Sequence, residues 1–585
     1  MVLLNVMKHF KTIKSYVLDN RRYIAAGFIA LIFVDILQLS IPRVVKLAVD
    51  ILAAGTGDEA ALLRYAAVIA ALGLCMGLFR FCWRYCFIGT SRRIERELRR
   101  RLFSHLVRLP LSSFITTRTG DFMARMTNDL ESVRMCAGIG LVAMIDTVFL
   151  GIASICFMLY ISPLLTLVCL APMVFIIITT WRLSSLLHKR FSRVQAAFSL
   201  LTEKVRETIA GIAVIKAYVR ENSSRDDFRN VSTQYLKRNI ELIRVLGLFF
   251  PGIMFLANIS VAILIFVGGR FAVTGTITTG DFVAFVSYLW ILTWPMMALG
   301  WVVNLYQRGA ASMVRINEVL NMQPEKISLG ETPPRPRLKG DILIKNLTFS
   351  YAYGSPPALR NINMSIPRGT TVGITGKTGS GKSTLCNLLL RLYPPPPQAI
   401  CIDGTDIRTV ALSHLRTSIA YVPQDSFLFS ESIRDNIAFG KPESGLEEIG
   451  QYARTAQVAD EILEFSDTFN TVLGERGITL SGGQKQRLCI SRALLLKAPI
   501  LILDDSMSSL DVATSKKIVE ALKAVDTQQT RIIVSNRIET IKHADNIFVF
   551  ADGEISETGS HEELVMHKGL YHNLYLKQQL ESEPM

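Results

Sequence analysis

"GTTVGITGKTGSGKSTLCNLLLRLY", residues 369–393, joins an apolar β-like run to an amphipathic helix through a glycine-rich loop. Glycines in such a loop let successive backbone N–H groups close around phosphate oxygens, and the helix that follows points its positive end at the same charge. Gly376, Lys377, Thr378, Gly379, Ser380, Gly381, Lys382, Ser383 and Thr384 are therefore candidate nucleotide-binding residues. In such a P-loop the lysine, here Lys382, reaches the terminal phosphates, and the hydroxyl after it, Ser383, is placed for Mg²⁺. The strand–loop–helix context raises this from a pattern match to an α/β P-loop NTPase fold.

Working outward, "ILILDDSMSSLD" (500–511) is a buried-type strand ending in two carboxylates. Asp504 is placed to hold Mg²⁺ directly or through water, and Asp505 stands where a catalytic carboxylate is expected. P-loop and strand-end acid in this order define an ATP site; a merely capping carboxylate would leave the loop upstream unexplained. Between them lies "LSGGQKQR" (480–487): Ser481 and two glycines opening a helix make a second anion-binding terminus. One loop already cradles the phosphates of this domain's own nucleotide, so Leu480, Ser481, Gly482, Gly483 and Gln484 make sense as the cap on a nucleotide held by another copy of the domain.

The remainder of the chain is of another kind. Its 585 residues exceed one ordinary domain. Half of them are hydrophobic, and the mean hydropathy of +0.32 points to membrane spans. Six apolar stretches, near 23–42, 61–83, 139–161, 164–181, 245–268 and 282–306, suffice to cross a hydrocarbon core of about 30 Å. "SP" at 162–163 alone separates the third and fourth, which predicts a tight hairpin. The formal charge of +15 is concentrated in polar segments such as "RRIERELRRRLFSHLVR" (92–108) and "HKRFSR" (188–193), whereas "GGRFAVTGTITTGD" (268–281) holds one basic residue. That asymmetry is the positive-inside pattern. It places both termini and both long polar segments in the cytoplasm, as helical continuations of the spans, and no motif accompanies the charge that would make nucleic acid a partner. Asp35 and Asp146 fall within spans, where an ionisable group faces a cavity or a partner. The nine cysteines include no CxxC pair, and the N-terminal stretch does not read as a cleaved signal. "QPEKISLGETPPRPRLKG" (323–340) is a proline- and charge-rich linker. The expected domains are 1–320 for six transmembrane helices, 321–340 for the linker and 341–585 for the cassette.

With these motifs in this order, the sequence resembles the ATP-binding cassette family, whose signature is LSGGQ. The resemblance covers essentially the whole chain. It implies that Tyr351, in "FSY", stacks on adenine and that Gln424, in "YVPQD", touches Mg²⁺ and senses the membrane domain. "GERG" (474–477) resembles the exporter-type loop before the signature, and "SSLD" (508–511) the turn that meets the opposite cassette. "TGDFMARMTNDLESVR" (119–134) and "ETIAGIAVIKAYVRE" (207–221) resemble the two cytoplasmic coupling segments of exporter half-transporters. Six long helices fused to one cassette, dimerised with two ATPs between the cassettes, are what the family implies.

Two positions depart from the family pattern. The residue after the strand-end Asp is ordinarily Glu, which orients the attacking water; here it is Asp505. The switch position, usually His, is Asn536 in "SNR". A base misplaced by about 1 Å costs around 10²-fold, and loss of general-base help about 10²–10⁴-fold. Asp505, Asn536 and Gln424 are thus the candidate catalytic set, Ser383, Gln424 and Asp504 the metal set, with ATP binding retained and hydrolysis slow. An impaired own site beside an intact signature is the pattern of heterodimeric bacterial exporters. It implies a second, non-identical half-transporter and export of a hydrophobic or amphiphilic drug or lipid across the inner membrane. A homodimeric flippase with slow turnover and an ATP-gated regulatory subunit are the alternatives. Phe249, Phe250, Trp290, Trp294 and Met296 are the candidates to line a substrate cavity.

Overall fold

The computed structural model describes residues 11–55, 58–325, 338–352, 354–474, 477, 480–525 and 528–582. The chain divides into two compact units. One takes residues up to Val107 and Arg118–Met322; the other takes Arg108–Thr117 and everything from Gln323 onward. Residues 326–337 of the expected linker, Glu475 and Arg476 of "GERG", and residues 1–10 lie outside the described set.

The first unit is all helical. Among the described residues, six helices are long and apolar enough to cross a membrane: α1 (Arg21–Ala53), α2 (Glu59–Leu106), α3 (Thr119–Ile161), α4 (Pro163–Ala210), α5 (Glu221–Val273) and α6 (Thr279–Leu320). α2 runs 48 residues and α4 another 48; at 1.5 Å per residue each is about 70 Å long, far more than a bilayer needs. The basic segments 92–108 and 188–193 are thus the polar ends of helices whose apolar ends span, as expected. The hairpin at 162–163 forms as read: Ser162 caps α4 by accepting the Leu165 N–H, and Pro163 occupies the first turn, where its missing donor costs nothing.

The two coupling-type stretches fold differently from each other. "TGDFMARMTNDLESVR" is the beginning of α3 itself, interrupted by π-turns at Arg125–Asp129 and Cys136–Gly140. The short separate helix between α2 and α3 is Leu111–Thr116, just upstream. The second stretch does contain such a helix, Ile212–Ala217, between α4 and α5. Only the extended Thr117 and Arg118 divide 111–116 from 119–134, with neither glycine nor proline to mark the break.

Polar seams lock the bundle. Thr278 and Asp281 form a capping box at the start of α6, and Asp50 of α1 accepts the Gly280 N–H at 2.8 Å. Lys46 pairs with Asp281 at 2.5 Å. A Cβ on Gly280 would collide with the Lys46 carbonyl, so glycine is what lets α1 and α6 approach there. At the other end of α6, Asp129 accepts from Ser312 and from Nε of Arg315, each at 2.9 Å.

The second unit is an α/β cassette with two sheets. The antiparallel sheet has the order β2–β1–β4–β5, with β1 Ile342–Phe349, β2 Leu359–Ile366, β4 Ile400–Ile402 and β5 Thr405–Asp406. The other has the order β10–β9–β3–β8–β7–β6. Its members are β3 Thr371–Gly376, β6 Ile419–Val422, β7 Ile500–Asp504, β8 Thr530–Val534, β9 Asn546–Ala551 and β10 Glu554–Gly559. All pairs but β9–β10 in this sheet are parallel. β3, β7 and β8 are buried at every position; β7 reads as an apolar run up to Asp504, whereas β8 also buries Thr530 and Arg531. α7 (Lys382–Leu389) follows β3, and α8 (Gly482–Leu495) carries the signature.

Candidate nucleotide site

A parallel sheet gathers its loops at the carboxyl ends of its strands, and that is where this cassette concentrates its chemistry. β3 ends in the P-loop, β7 in Asp504 and Asp505, β8 in Asn536, and β6 leads to Gln424. A cavity of about 280 Å³ opens there, lined by Tyr351, Thr378, Gly379, Gly381, Lys382, Ser383, Thr384, Gln424, Asp504, Asp505 and Asn536, with Ala358 and Val534. Of the residues expected for the chain's own nucleotide, Gly376, Lys377 and Ser380 shape the loop without lining the cavity.

The loop geometry follows from its glycines. Gly376, Gly379 and Gly381 all have φ in the left-handed region. A Cβ at Gly381 would lie 2.6 Å from Leu359 Cδ2, whereas one at Gly379 meets nothing within 4 Å. The first is a packing requirement, the second the open side of the cradle. Lys382 is buried, and its Nζ donates to the Gly376 and Lys377 carbonyls at 2.8 and 2.9 Å, a loop-closing position beside the cavity. Burial holds its ammonium below the usual lysine range, against the pull of Asp505 and Asp504. Ser380 is buried with no partner for its Oγ among the described residues, an unused donor in the loop.

The acid end is equally ordered. Asp504 is 1% exposed; it accepts from Ser383 Oγ at 3.1 Å and from Tyr421 OH at 3.4 Å. Burial raises its carboxyl above the ordinary range, and the two hydroxyls oppose that. Hard oxygen donors converging between Ser383 and Asp504, with Gln424 on the same wall, suit Mg²⁺ with its retained waters.

Asp505 adopts φ +47°, a left-handed conformation rare for a side-chain-bearing residue. Its own N–H donates to the Val534 carbonyl at 2.9 Å. Its carboxylate is raised by burial and steadied by the backbone N–H of Asn536, with the charges of Lys382 and Arg537 acting on it. The short side chain is therefore engaged by the β8 loop. The Asn536 side chain is exposed, while its carbonyl accepts from Gln578 Nε2 at 2.7 Å, and Gln578 Oε1 accepts the Ile538 N–H at 2.9 Å. Tyr351 presents half its surface; its ring meets Phe349 and Tyr393 edge-on, and its hydroxyl donates to Thr384 Oγ1 at 2.9 Å.

The signature residues do not line this cavity. Ser481 and Gln484 instead form a capping box at the start of α8, Ser481 Oγ accepting the Gln484 N–H and Gln484 Oε1 accepting the Ser481 N–H at 2.9 Å. Behind the cap, Gln486 Nε2 donates to Ser508 Oγ at 3.1 Å and its Oε1 accepts the Ser509 N–H at 2.9 Å. Arg537 donates to the Leu510 carbonyl. A continuous chain of bonds thus runs from the Asp505–Asn536 segment through 508–510 to α8. Sequence reasoning had no signal for Tyr421, Gln486 or Gln578; the first two lay inside quoted motifs, and Gln578 sits 42 residues from Asn536.

In the membrane unit, Phe249 and Trp294 line an apolar cavity of about 540 Å³ between α4, α5 and α6. Trp290 and Met296 are not on its wall, and the Phe250 side chain lies outside the described set.

Family models match both units: the ABC transporter transmembrane region over residues 24–296 and the ABC transporter cassette over 359–508. The chain belongs to the ABC transporter family. This ABC half-transporter is 34% identical over 560 residues to "Probable multidrug resistance ABC transporter ATP-binding/permease protein YheI" of Bacillus subtilis, covering 96% of this chain and 95% of that protein. It is 35% identical over 563 residues to "Multidrug resistance-like ATP-binding protein MdlA" of Escherichia coli, at 96% and 95% coverage. It is 34% identical over 489 residues to "ATP-dependent lipid A-core flippase" of Syntrophus aciditrophicus, at 84% and 81% coverage. Among solved structures, "Structure of a bacterial Atm1-family ABC exporter with ATP bound" matches at TM-score 0.79 and 26% identity, covering 96% of this chain and 99% of that one. Six membrane helices followed by an ATP-binding α/β cassette is thus the architecture of an ABC exporter half, a membrane-embedded ATPase that works as a dimer of halves.

Proposed function

We propose that this half-transporter exports a hydrophobic or amphiphilic small molecule, a drug or a lipid, across the bacterial inner membrane, as the degenerate-site half of a heterodimer with both termini cytoplasmic. The names of its relatives support the substrate class, and the basic helix ends support the orientation. The observation that carries the asymmetry is Asp505: a carboxylate one methylene shorter than Glu, held by the Asn536 backbone, beside a switch position with no imidazole.

In this reading Tyr351 stacks on adenine and residues 376–384 enclose the phosphates, with Lys382 leaving its loop carbonyls for the terminal phosphates. Ser383, Asp504 and Gln424 hold Mg²⁺, which when bound neutralises charge on the phosphates. Asp505 and Gln424 position water poorly, and Asn536 donates a neutral hydrogen bond where an imidazolium would bring charge. The Leu480–Gln484 cap completes the partner's site, where most turnover occurs. Closure of the cassettes on ATP biases the membrane helices outward-facing, through Leu111–Thr116 and Ile212–Ala217.

Expression alone and together with a candidate partner half that carries Glu and His at the two altered positions tests this. The chain alone should bind ATP yet turn it over at least about 10²-fold more slowly than the pair. Robust turnover by the chain alone would replace the heterodimer with the homodimeric flippase.

A further inference from the structure

Next in sequence to Asn536, Arg537 lines a second and smaller cavity of about 170 Å³, whose wall shares no residue with that of the nucleotide cavity. Two helices build it: α9 (Val512–Val525), which follows the 508–511 turn, and the short α10 (Ile538–Ile541), which begins after Arg537. Its charged wall residues are Lys516 of α9, Arg537, Glu539 and Lys542, with His543 beside them. Lys542 Nζ pairs with Glu539 at 2.6 Å, which accounts for the one carboxylate on the wall. Lys516 and Arg537 have no carboxylate within 4 Å among the described residues; the Arg537 guanidinium donates instead to the Leu510 carbonyl, a neutral acceptor. Lys516 is exposed to water and an arginine in a protein does not deprotonate, so both positive charges are present.

Ser515, one residue before Lys516, is 5% exposed and lines the same wall. Its Oγ is buried without a hydrogen-bond partner among the described residues. Native proteins seldom leave a buried hydroxyl so, and this one stands on the wall that carries two unpaired cations. Size and charge together select an occupant. The volume falls below the about 300–1,000 Å³ of drug-sized sites, which leaves room for a small ion. A carboxylate would cancel one of the two free charges, whereas a dianion cancels both. Guanidinium, ammonium and hydroxyl donors on one small wall suit a tetrahedral phosphate, which has oxygens enough to accept from all three.

We propose that this cavity is an oxyanion site distinct from the ATP pocket, and that its occupant is a phosphate dianion, free or as the head of a small phosphomonoester. The site does not depend on the export reading above. Arg537 ties it to the catalytic end of the cassette, because the same guanidinium holds the 508–510 turn and acts on Asp505.

The purified full-length protein tests the site once its ATP pocket is filled with Mg²⁺ and a non-hydrolysable ATP analogue, which keeps phosphate out of the P-loop. Labelled inorganic phosphate should still be retained in equilibrium dialysis, with ionic strength matched by chloride. Lys516→Gln should weaken that retention about tenfold, since a hydrogen bond to a charged group is lost. Ser515→Ala should weaken it by a smaller factor, and Lys517→Gln, on the same helix but off the wall, should leave it within twofold. Modification of His543 by diethyl pyrocarbonate, read by peptide mass spectrometry, reports occupancy locally. Phosphate should slow it severalfold while the exposed His567 reacts as before. Glycerol phosphate is run in parallel. Whichever of the two protects His543 at the lower concentration identifies the source of the phosphate group, and either order upholds the site. Loss of all retained phosphate once the analogue is bound, equal retention by Lys516→Gln and wild type, or unslowed His543 modification overturns it. The His543 reading is taken on wild type, so it decides the matter even where a variant fails to accumulate.

Discussion

Restoring one methylene at residue 505 is the sharpest test of the cassette. Asp505 is fixed at φ +47° by its N–H bond to the Val534 carbonyl, so Glu would start from the same backbone. The extra C–C bond, about 1.5 Å long, moves the carboxylate roughly 1 Å further into the cavity. Correcting a misplacement of that size is worth about 10²-fold, or about 2.7 kcal/mol. Against this, swinging forward gives up the Asn536 N–H, and a hydrogen bond to a charged acceptor contributes about 1.5–3 kcal/mol. Taking the lower figure, since solvent reaches the exposed Asn536, the net gain is about 1.2 kcal/mol, or about tenfold. Single-turnover hydrolysis of γ-labelled ATP measures it, with the second half held constant and its own P-loop lysine replaced so that only this pocket reports. Asp505→Glu with Asn536→His should go further, toward about 10²-fold, because the switch position then offers a charge. An Asp505→Glu rate within about twofold of wild type, at unchanged ATP affinity, would refute the idea that reach limits this site.

Gly381→Ala should weaken ATP binding by more than about tenfold, read with a fluorescent nucleotide. Its φ of +98° and the 2.6 Å approach of Leu359 leave a methyl no room without moving the loop. Gly280→Ala should cut the yield of folded membrane unit, read by detergent-solubilised monodispersity, because the methyl drives α6 off the Lys46 carbonyl. His561 lies against Tyr571 and Tyr575, its Nδ1 2.7 Å from Tyr571 OH, and burial holds its pKa below the ordinary value. The fold thus favours the neutral ring. Its contribution is full above the unfolded pKa of about 6.5 and is lost as pH falls through the lower folded value. Wild type should therefore lose more Tm between about pH 7.5 and 5.5 than His561→Gln, measured by thermal shift; equal losses would contradict it.

Much of this was legible because certain residues admit few alternatives. The run 500–504 has to be buried on both faces, and a loop of three glycines in nine residues has to be backbone-lined, so their places in the sheet followed. The six spans followed from apolar length, and their polar extensions from the basic runs after them. Position 505 was legible as an anomaly but not in its cause: that the Asn536 N–H holds the carboxylate depends on β7 and β8 being neighbours, a long-range fact. For the same reason nothing near residue 578 pointed to a glutamine bracketing 536–538 from the C-terminal helix. Asp35 and Asp146 could be placed in spans, yet the near-complete burial of Asp35 depends on how the helices pack.

The self-sealed start of α8 has a kinetic meaning for the assembled transporter. Ser481 seals the Gln484 N–H, while the Gly482 and Gly483 N–H groups of the same first turn have no intrahelical acceptor. In the proposed assembly a phosphate oxygen competes with the serine for the Gln484 amide, so the halves would adhere while a triphosphate is between them. Once the terminal group leaves, the serine reclaims its amide and the adhesive is gone. Release would be built into four consecutive residues of local chain.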